Sequence, residues 1–127
     1  MDTPGKGTRV LVLEDEAIIA LDVEGILTDA GFKVAATLAT CADALEWLDN
    51  HSADIALLDL HLLDGSCAPV GNRLAQLGIP FVVFSGGSAA DETVDPILAQ
   101  GQWLEKPAPP SRIVEVVLAA LRAQRAA

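Results

Sequence analysis

Charged and hydroxyl side chains stand in this sequence where short apolar runs stop. Leu11-Val12-Leu13 runs into Glu14-Asp15-Glu16, and Ile55-Ala56-Leu57-Leu58 runs into Asp59. Phe81-Val82-Val83-Phe84 is followed by Ser85, and Trp103-Leu104 by Glu105-Lys106-Pro107. If these ends meet in space, the acids repel one another. Two unit charges about 4 Å apart cost roughly 4 kcal/mol at an effective dielectric of about 20. Such a cluster needs a proton or a cation. Oxygen donors without a cysteine or histidine cage suit a hard divalent ion, and Mg²⁺ takes only one or two carboxylates plus a phosphate oxygen and keeps several waters. Ser85 and Lys106 would then hydrogen-bond and neutralise a phosphoryl group held nearby. Asp59, at the centre, would be the nucleophile, since aspartate forms an acyl phosphate. Each residue also has a plainer reading. Asp59 could cap a loop, Glu14 to Glu16 could be acids at a helix N-terminus, Ser85 could be a turn residue and Lys106 a surface charge. It is their joint arrival at one edge of a sheet that favours chemistry.

The elements that would bring them together can be read from the hydrophobic period. Arg9–Leu13, Lys33–Thr37, Ile55–Asp59, Phe81–Ser85 and Gln102–Glu105 read as five short strands, and the apolar run Arg9–Leu13 suits one buried on both faces. Between them lie stretches of helical period. The first is Ala17 to Ala30, with Ile19, Val23, Ile26 and Ala30 apolar and Gly31 as its stop. The second begins at Thr40, with Asp43 in a capping-box-like position, packs on Ala44, Leu45 and Leu48, and ends near Asn50. Asp64-Gly65-Ser66 reads as a turn with a possible helix cap. A short third helix follows on Val70, Leu74 and Leu77, with Gly78 beyond it. Gly86 to Gln100, with two glycines and Pro96, supports two helical turns at most. The last helix runs from Pro110 to about Gln124 on Ile113, Val116, Val117, Ala120 and Leu121, and Arg122 and Arg125 suit its negative end. Strands alternating with helices predict an α/β fold with a doubly wound parallel sheet. Ligands of such sheets sit at the carboxyl ends of the strands.

Composition narrows the function classes. The chain has 127 residues, the size of one domain, and 51% of them are hydrophobic, which excludes intrinsic disorder. That domain is expected over residues 7–124, with residues 1–6 and 125–127 as short tails and no output domain. Lys and Arg number 8 against 18 Asp and Glu, a net charge of −10. No basic face is available for nucleic acid, and an anionic membrane surface would repel the chain. No apolar run approaches the roughly 20 residues of a membrane span. Met1 to Lys6 lacks a signal-peptide pattern, so the expected compartment is the cytoplasm. Cys41 and Cys67 fit no Cys-x-x-Cys pattern and read as buried free thiols. A zinc site from His61 and Cys67 would lack two further ligands, and His51 stands apart from both.

With these residues in place, the chain resembles the receiver domain of two-component response regulators over nearly its whole length. The motifs are Leu-Val-Leu-Glu14-Asp15-Glu, Ile-Ala-Leu-Leu-Asp59-Leu-His-Leu-Leu-Asp-Gly, Phe-Val-Val-Phe-Ser85-Gly and Leu-Glu-Lys106-Pro107. The resemblance implies a flavodoxin-like sheet of five parallel strands in the order 2-1-3-4-5 with five flanking helices. It makes Asp59 the acceptor of a phosphoryl group from a histidine kinase or histidine phosphotransfer protein. Asp15 and Asp59 would bind Mg²⁺ through their carboxylates, Glu14 would reach it through water, and His61 would offer its main-chain carbonyl. Ser85 matches the hydroxyl residue, Lys106 the family's lysine, and Trp103 the aromatic whose rotation reports phosphorylation. The downstream protein partner would bind a face formed by the fourth helix, fifth strand and fifth helix. No independent turnover is implied beyond self-phosphorylation and self-dephosphorylation.

Some features depart from the family pattern. The stretch from Asp59 to Ser85 is short, which implies a shortened third helix, and Gly86-Gly87 stands where alanine is more common. Ala108 follows Lys106-Pro107 where a bulky residue is frequent. The Phe-Ser-Gly-Gly stretch resembles that of some single-domain receivers. Competing functions fare worse. A haloacid-dehalogenase-type phosphatase needs Asp-x-Asp at its first strand end, and Asp59-Leu60-His61 lies on the third strand without it. A flavin carrier needs a phosphate cradle after the first strand, where this chain puts Glu14, Asp15 and Glu16. A pseudo-receiver that binds partners without phosphorylation is the remaining alternative.

Overall fold

The structure, a computed structural model, describes residues 7–85, 96–106 and 108–126, with only the main chain of His61, Ser85, Arg125 and Ala126. The elements along it are β1 (Arg9–Leu13), α1 (Ala17–Asp29), β2 (Lys33–Leu38), α2 (Cys41–Asn50), β3 (Ile55–Asp59), β4 (His61–Leu62) and β5 (Gly65–Ser66). They continue with α3 (Ala68–Leu77), β6 (Phe81–Ser85), a 3₁₀ turn (Leu98–Gln100), β7 (Gln102–Glu105) and α4 (Pro110–Ala126).

The main sheet has the order β2-β1-β3-β6-β7, and every pair in it is parallel. With the two-residue strands of the β4–β5 hairpin set aside as their own sheet, this is the expected 2-1-3-4-5 arrangement. Alternation along the strands sends successive side chains to opposite faces. Val10, Val12, Ile55, Leu57, Val82 and Phe84 pack with α1 and α4. Leu11, Leu13, Ala56, Leu58 and Val83 pack with α2 and α3. The central strands β1, β3 and β6 are covered on both faces, so their bodies must be apolar and their polar residues stand at the ends, while the edge strands β2 and β7 are partly exposed. Leu58 is 0% exposed; cutting such a residue to alanine costs about 2–5 kcal/mol.

The helix ends follow local chemistry. Gly31 adopts φ 93°, and Gly31 N–H donates to the Thr28 carbonyl and Phe32 N–H to that of Leu27. This is a Schellman ending that needs a residue free to adopt positive φ. Thr40 caps α2, its hydroxyl accepting from Asp43 N–H at 3.1 Å. The buried stripe of α1 is Ala20, Val23 and Leu27, not the expected Ile19-Val23-Ile26-Ala30 row. A 3.6-residue period centres the stripe on Val23, which leaves Ile19 and Ile26 at its margins and Ala30 outside the helix as its cap. In α3, Val70 and Leu74 are buried but Leu77, the final residue, is 43% exposed. The face expected for the last helix, Ile113, Val116, Val117, Ala120 and Leu121, is buried as read.

Five helices were expected; among the described residues there are four α-helices and one 3₁₀ turn. Residues 86–95, where the fourth of the expected five would begin, lie outside the described residues. At the end of that segment Leu98 is fully buried. A Cβ on Gly71 of α3 would lie 3.0 Å from Leu98 Cδ2, so glycine there leaves room for Leu98 to pack closely against α3. The 64–66 turn is the hairpin β4–β5, and Ser66 Oγ accepts from Ala68 N–H at the start of α3.

Candidate functional site

Sheet order decides which strand ends meet. β1 and β3 are neighbours in register, Leu13 beside Leu58, so the residues that follow, Glu14-Asp15 and Asp59, emerge side by side. One carboxylate oxygen from each of Glu14, Asp15 and Asp59 lies within 4.8 Å of the others. Lys106 follows β7 and reaches back over β6. Its Nζ donates to Glu14 Oε1 at 2.9 Å and to Asp59 Oδ2 at 3.2 Å, and lies 5.2 Å from the Phe84 ring centre.

Glu14 is 5% exposed, the one buried charged residue among those described. Its burial is tolerated because both oxygens are occupied: Oε1 by Lys106 and Oε2 by Glu16 N–H at 3.1 Å. Burial by itself would lower the Lys106 pKa. The Glu14 hydrogen bond and the charges of Asp59 and Glu14 outweigh it and hold the ammonium above its ordinary value. The donor set is all oxygen, anionic and compact, which fits a hard divalent cation such as Mg²⁺ and not a thiolate metal.

The remaining predicted residues fall as follows. Ser85 closes β6, its main chain paired with Glu105 of β7; its side chain lies outside the described atoms. His61 begins β4, paired with Ser66, two residues beyond Asp59. Trp103 is half-buried on β7, beside Val83, and its indole N–H donates to the Leu98 carbonyl at 3.1 Å. Cys41 and Cys67 are buried free thiols. Burial, then the charge and hydrogen bond of Asp64, pushes Cys41 up to about 11. Burial, then neighbouring Cys41 and Asp59, pushes Cys67 up to about 12.

Three features had gone unread. Glu14 holds Lys106 directly, whereas its sequence position suggested only a role towards a metal. Ile18 and Leu21, on the first turns of α1, are 84% and 68% exposed; their i, i+3 spacing was the available signal. A cavity of about 150 Å³ lies beside Lys106, lined by Ile19, Asp22, Val23, Phe84, Ala108 and Ile113. The small residue at Ala108 was its trace in the sequence.

An open parallel α/β sheet here gathers three acids and a lysine at its carboxyl edge, where the acids could hold a metal ion. Residues 10–118 match the family described as the response regulator receiver domain, and the chain belongs to it. Transcriptional regulatory protein PrrA of Mycobacterium tuberculosis is 32% identical over 125 residues, covering 96% of this chain and 53% of PrrA. The chain thus spans about half the length of that relative. Chemotaxis protein CheY of Bacillus subtilis is 25% identical over 112 residues, covering 86% of this chain and 93% of CheY. Among solved structures, SdrG from Sphingomonas melonis Fr1 superposes with a TM-score of 0.77 at 34% identity, over 91% of this chain and 97% of SdrG. A receiver domain protein from Methanospirillum hungatei JF-1 superposes with a TM-score of 0.83 at 22% identity, over 95% of this chain and 98% of its own, a likeness of fold. No helix among the described residues is long and apolar enough to cross a membrane.

Proposed function

We propose that the chain is a phosphoacceptor of a two-component relay, taking a phosphoryl group from a phosphohistidine of a kinase or phosphotransfer protein onto Asp59. The observation that carries this reading is the triad of carboxylates within 4.8 Å, with Lys106 bridging Glu14 and Asp59. Bound Mg²⁺ would supply the positive charge that lets an anionic donor approach this anionic pocket. Asp59 attacks phosphorus, the phosphorus–nitrogen bond breaks, and the imidazole leaves with the bonding pair. Lys106, already against Asp59, is placed to neutralise the transferred oxygens. Asp15 and the His61 carbonyl would hold the metal, with Glu14 behind them, and Ser85 would donate to the phosphoryl group. The phosphoryl donor would cover this pocket, and the first turns of α1, which starts two residues after Asp15, offer exposed apolar surface at Ile18 and Leu21. Apart from self-phosphorylation and self-dephosphorylation, no turnover is proposed.

With acetyl phosphate and Mg²⁺, intact mass should rise by a single phosphoryl group that is labile to base, and Asp59→Asn should lose it. Retained labelling in that variant would remove Asp59 from the role. Absence of labelling in the unsubstituted chain by any phosphodonor would instead favour the pseudo-receiver reading. The output would be a partner-binding face made by the segment before Gly101, β7 and α4, with Trp103 moving as Ser85 is drawn inward. Beryllofluoride with Mg²⁺ should then alter the emission of Trp47→Phe, in which Trp103 is the remaining indole. Unchanged emission despite bound beryllofluoride would exclude Trp103.

A further inference from the structure

The β4–β5 hairpin pairs with no strand of the main sheet. Two residues per strand give it few bonds of its own, so its position is imposed by what it docks on. It docks on the start of α2. Leu63 N–H donates to the Ala39 carbonyl at 3.2 Å. The Asp64 carboxylate accepts from Cys41 N–H at 2.7 Å through Oδ1 and from Ala42 N–H at 3.1 Å through Oδ2. Cys41 Sγ lies 3.2 Å from the Ser66 carbonyl.

These contacts cap α2 a second time. Its first three amides would otherwise be unsatisfied. Thr40 takes that of Asp43, while Asp64, 23 residues from Cys41, takes the other two. The Cys41 amide first, then that of Ala42, hold the Asp64 carboxyl below its ordinary range, so the clasp carries a full negative charge at neutral pH. The other end of the same hairpin is His61, beside Asp59, and Cys67 N–H returns to the Leu60 carbonyl at 3.1 Å. Residues 60 to 67 are therefore a closed loop with its tip fixed to α2 and its mouth at the acidic pocket.

We propose that Asp64 is a positioning residue for that pocket: by clasping α2 it holds the hairpin so that the main chain at His61 keeps its place beside Asp59. The proposal rests on the Mg²⁺-dependent reading above. Its test sets Asp64→Ala and Asp64→Asn against Thr40→Ala, which removes a cap from the same helix without touching the hairpin. In metal-free protein, amide hydrogen exchange at Leu63 should speed up in Asp64→Ala and stay unchanged in Thr40→Ala. Mg²⁺ affinity by calorimetric titration should fall about ten-fold in Asp64→Ala, the scale of losing an outer-shell partner. It should fall less in Asp64→Asn, which keeps one carbonyl acceptor, and hold in Thr40→Ala. Should Asp64→Ala not fold, Asp64→Asn carries both measurements. Equal Mg²⁺ affinity in the Asp64 variants and the unsubstituted chain would reduce Asp64 to a helix cap. Loss of affinity in Thr40→Ala as well would make the effect one of α2 stability. No Mg²⁺ binding by the unsubstituted chain would overturn the reading beneath the proposal, whatever the exchange shows.

Discussion

Asp15→Asn should make the metal-free protein more stable and the Mg²⁺-bound protein less so. At the 4.8 Å bound on the ligand oxygens, each like-charged pair costs about 3.5 kcal/mol at an effective dielectric of about 20. Asp15 makes two such pairs, with Glu14 and Asp59. Lys106 bonds both of those partners and offsets most of the repulsion. Solvent and salt screen half-buried Asp15 further, leaving a net gain of about 1 kcal/mol for the neutral isostere. In a chain of this size that is a rise of about 3 °C in Tm. Mg²⁺ reverses the order. A ligand at 100 times its Kd stabilises the state that binds it by about 2.7 kcal/mol, a gain the variant forgoes. Thermal unfolding of both proteins, with chelator and with saturating Mg²⁺, should therefore give melting curves that exchange places. A variant less stable than the original in chelator would refute the reasoning and make Asp15 a structural acid.

Lys106→Met leaves Glu14, whose side chain is 4% exposed, without its counter-charge, and urea unfolding at pH 7 should show a loss of about 3 kcal/mol. The sign with pH is fixed by the raised Lys106 pKa. The pair's contribution is complete below the ordinary lysine value of 10.5 and disappears as pH rises through the higher folded value. The urea midpoint of the original chain should accordingly fall above pH 10.5, and that component of the fall should be absent in Lys106→Met. Ala108→Leu should fill part of the cavity of about 150 Å³ beside Lys106 and raise stability by about 1 kcal/mol; a lowered Tm would show that the space is not free to accept carbon.

Much of this was legible because the central strands β1, β3 and β6 are buried on both faces. A doubly covered strand must be apolar from end to end, so its boundaries are marked by the first polar residue. Asp59 and Ser85 are such marks, and β3 and β6 close on them. The same rule placed Glu14, Asp15, Asp59 and Lys106 at one edge. Helices are covered on one side only, so their stripes carry looser information. Ile19 and Ile26 looked central in α1 and lie at the margin, while Leu77 looked buried and is exposed. Contacts between distant polar residues left the weakest trace. Asp64 reads locally as a turn residue, and nothing near it in sequence announces that it caps α2. The Glu14–Lys106 pair likewise depends on how a long side chain bends at the end of β7.

That bend follows from where β7 lies. β6 stands between β7 and β3, and neighbouring strands are about 4.8 Å apart, so a charge from β7 must cross about two strand spacings to reach Asp59. A long unbranched side chain can do so by lying over the strand between, and the ring it crosses is Phe84. Arginine would reach as far, but its planar fork favours two parallel bonds to one carboxylate. The ammonium is a compact charge with three donors, and it bonds Glu14 and Asp59 together. Because Glu14 is buried and Asp59 lies at the open side, the ammonium can exchange the Asp59 oxygen for an incoming anion while Glu14 keeps it in place. A fixed acid behind and an exchangeable one in front give a cation that moves little when its partner changes. That suits a site whose acceptor carboxylate is proposed to gain and lose a phosphoryl group.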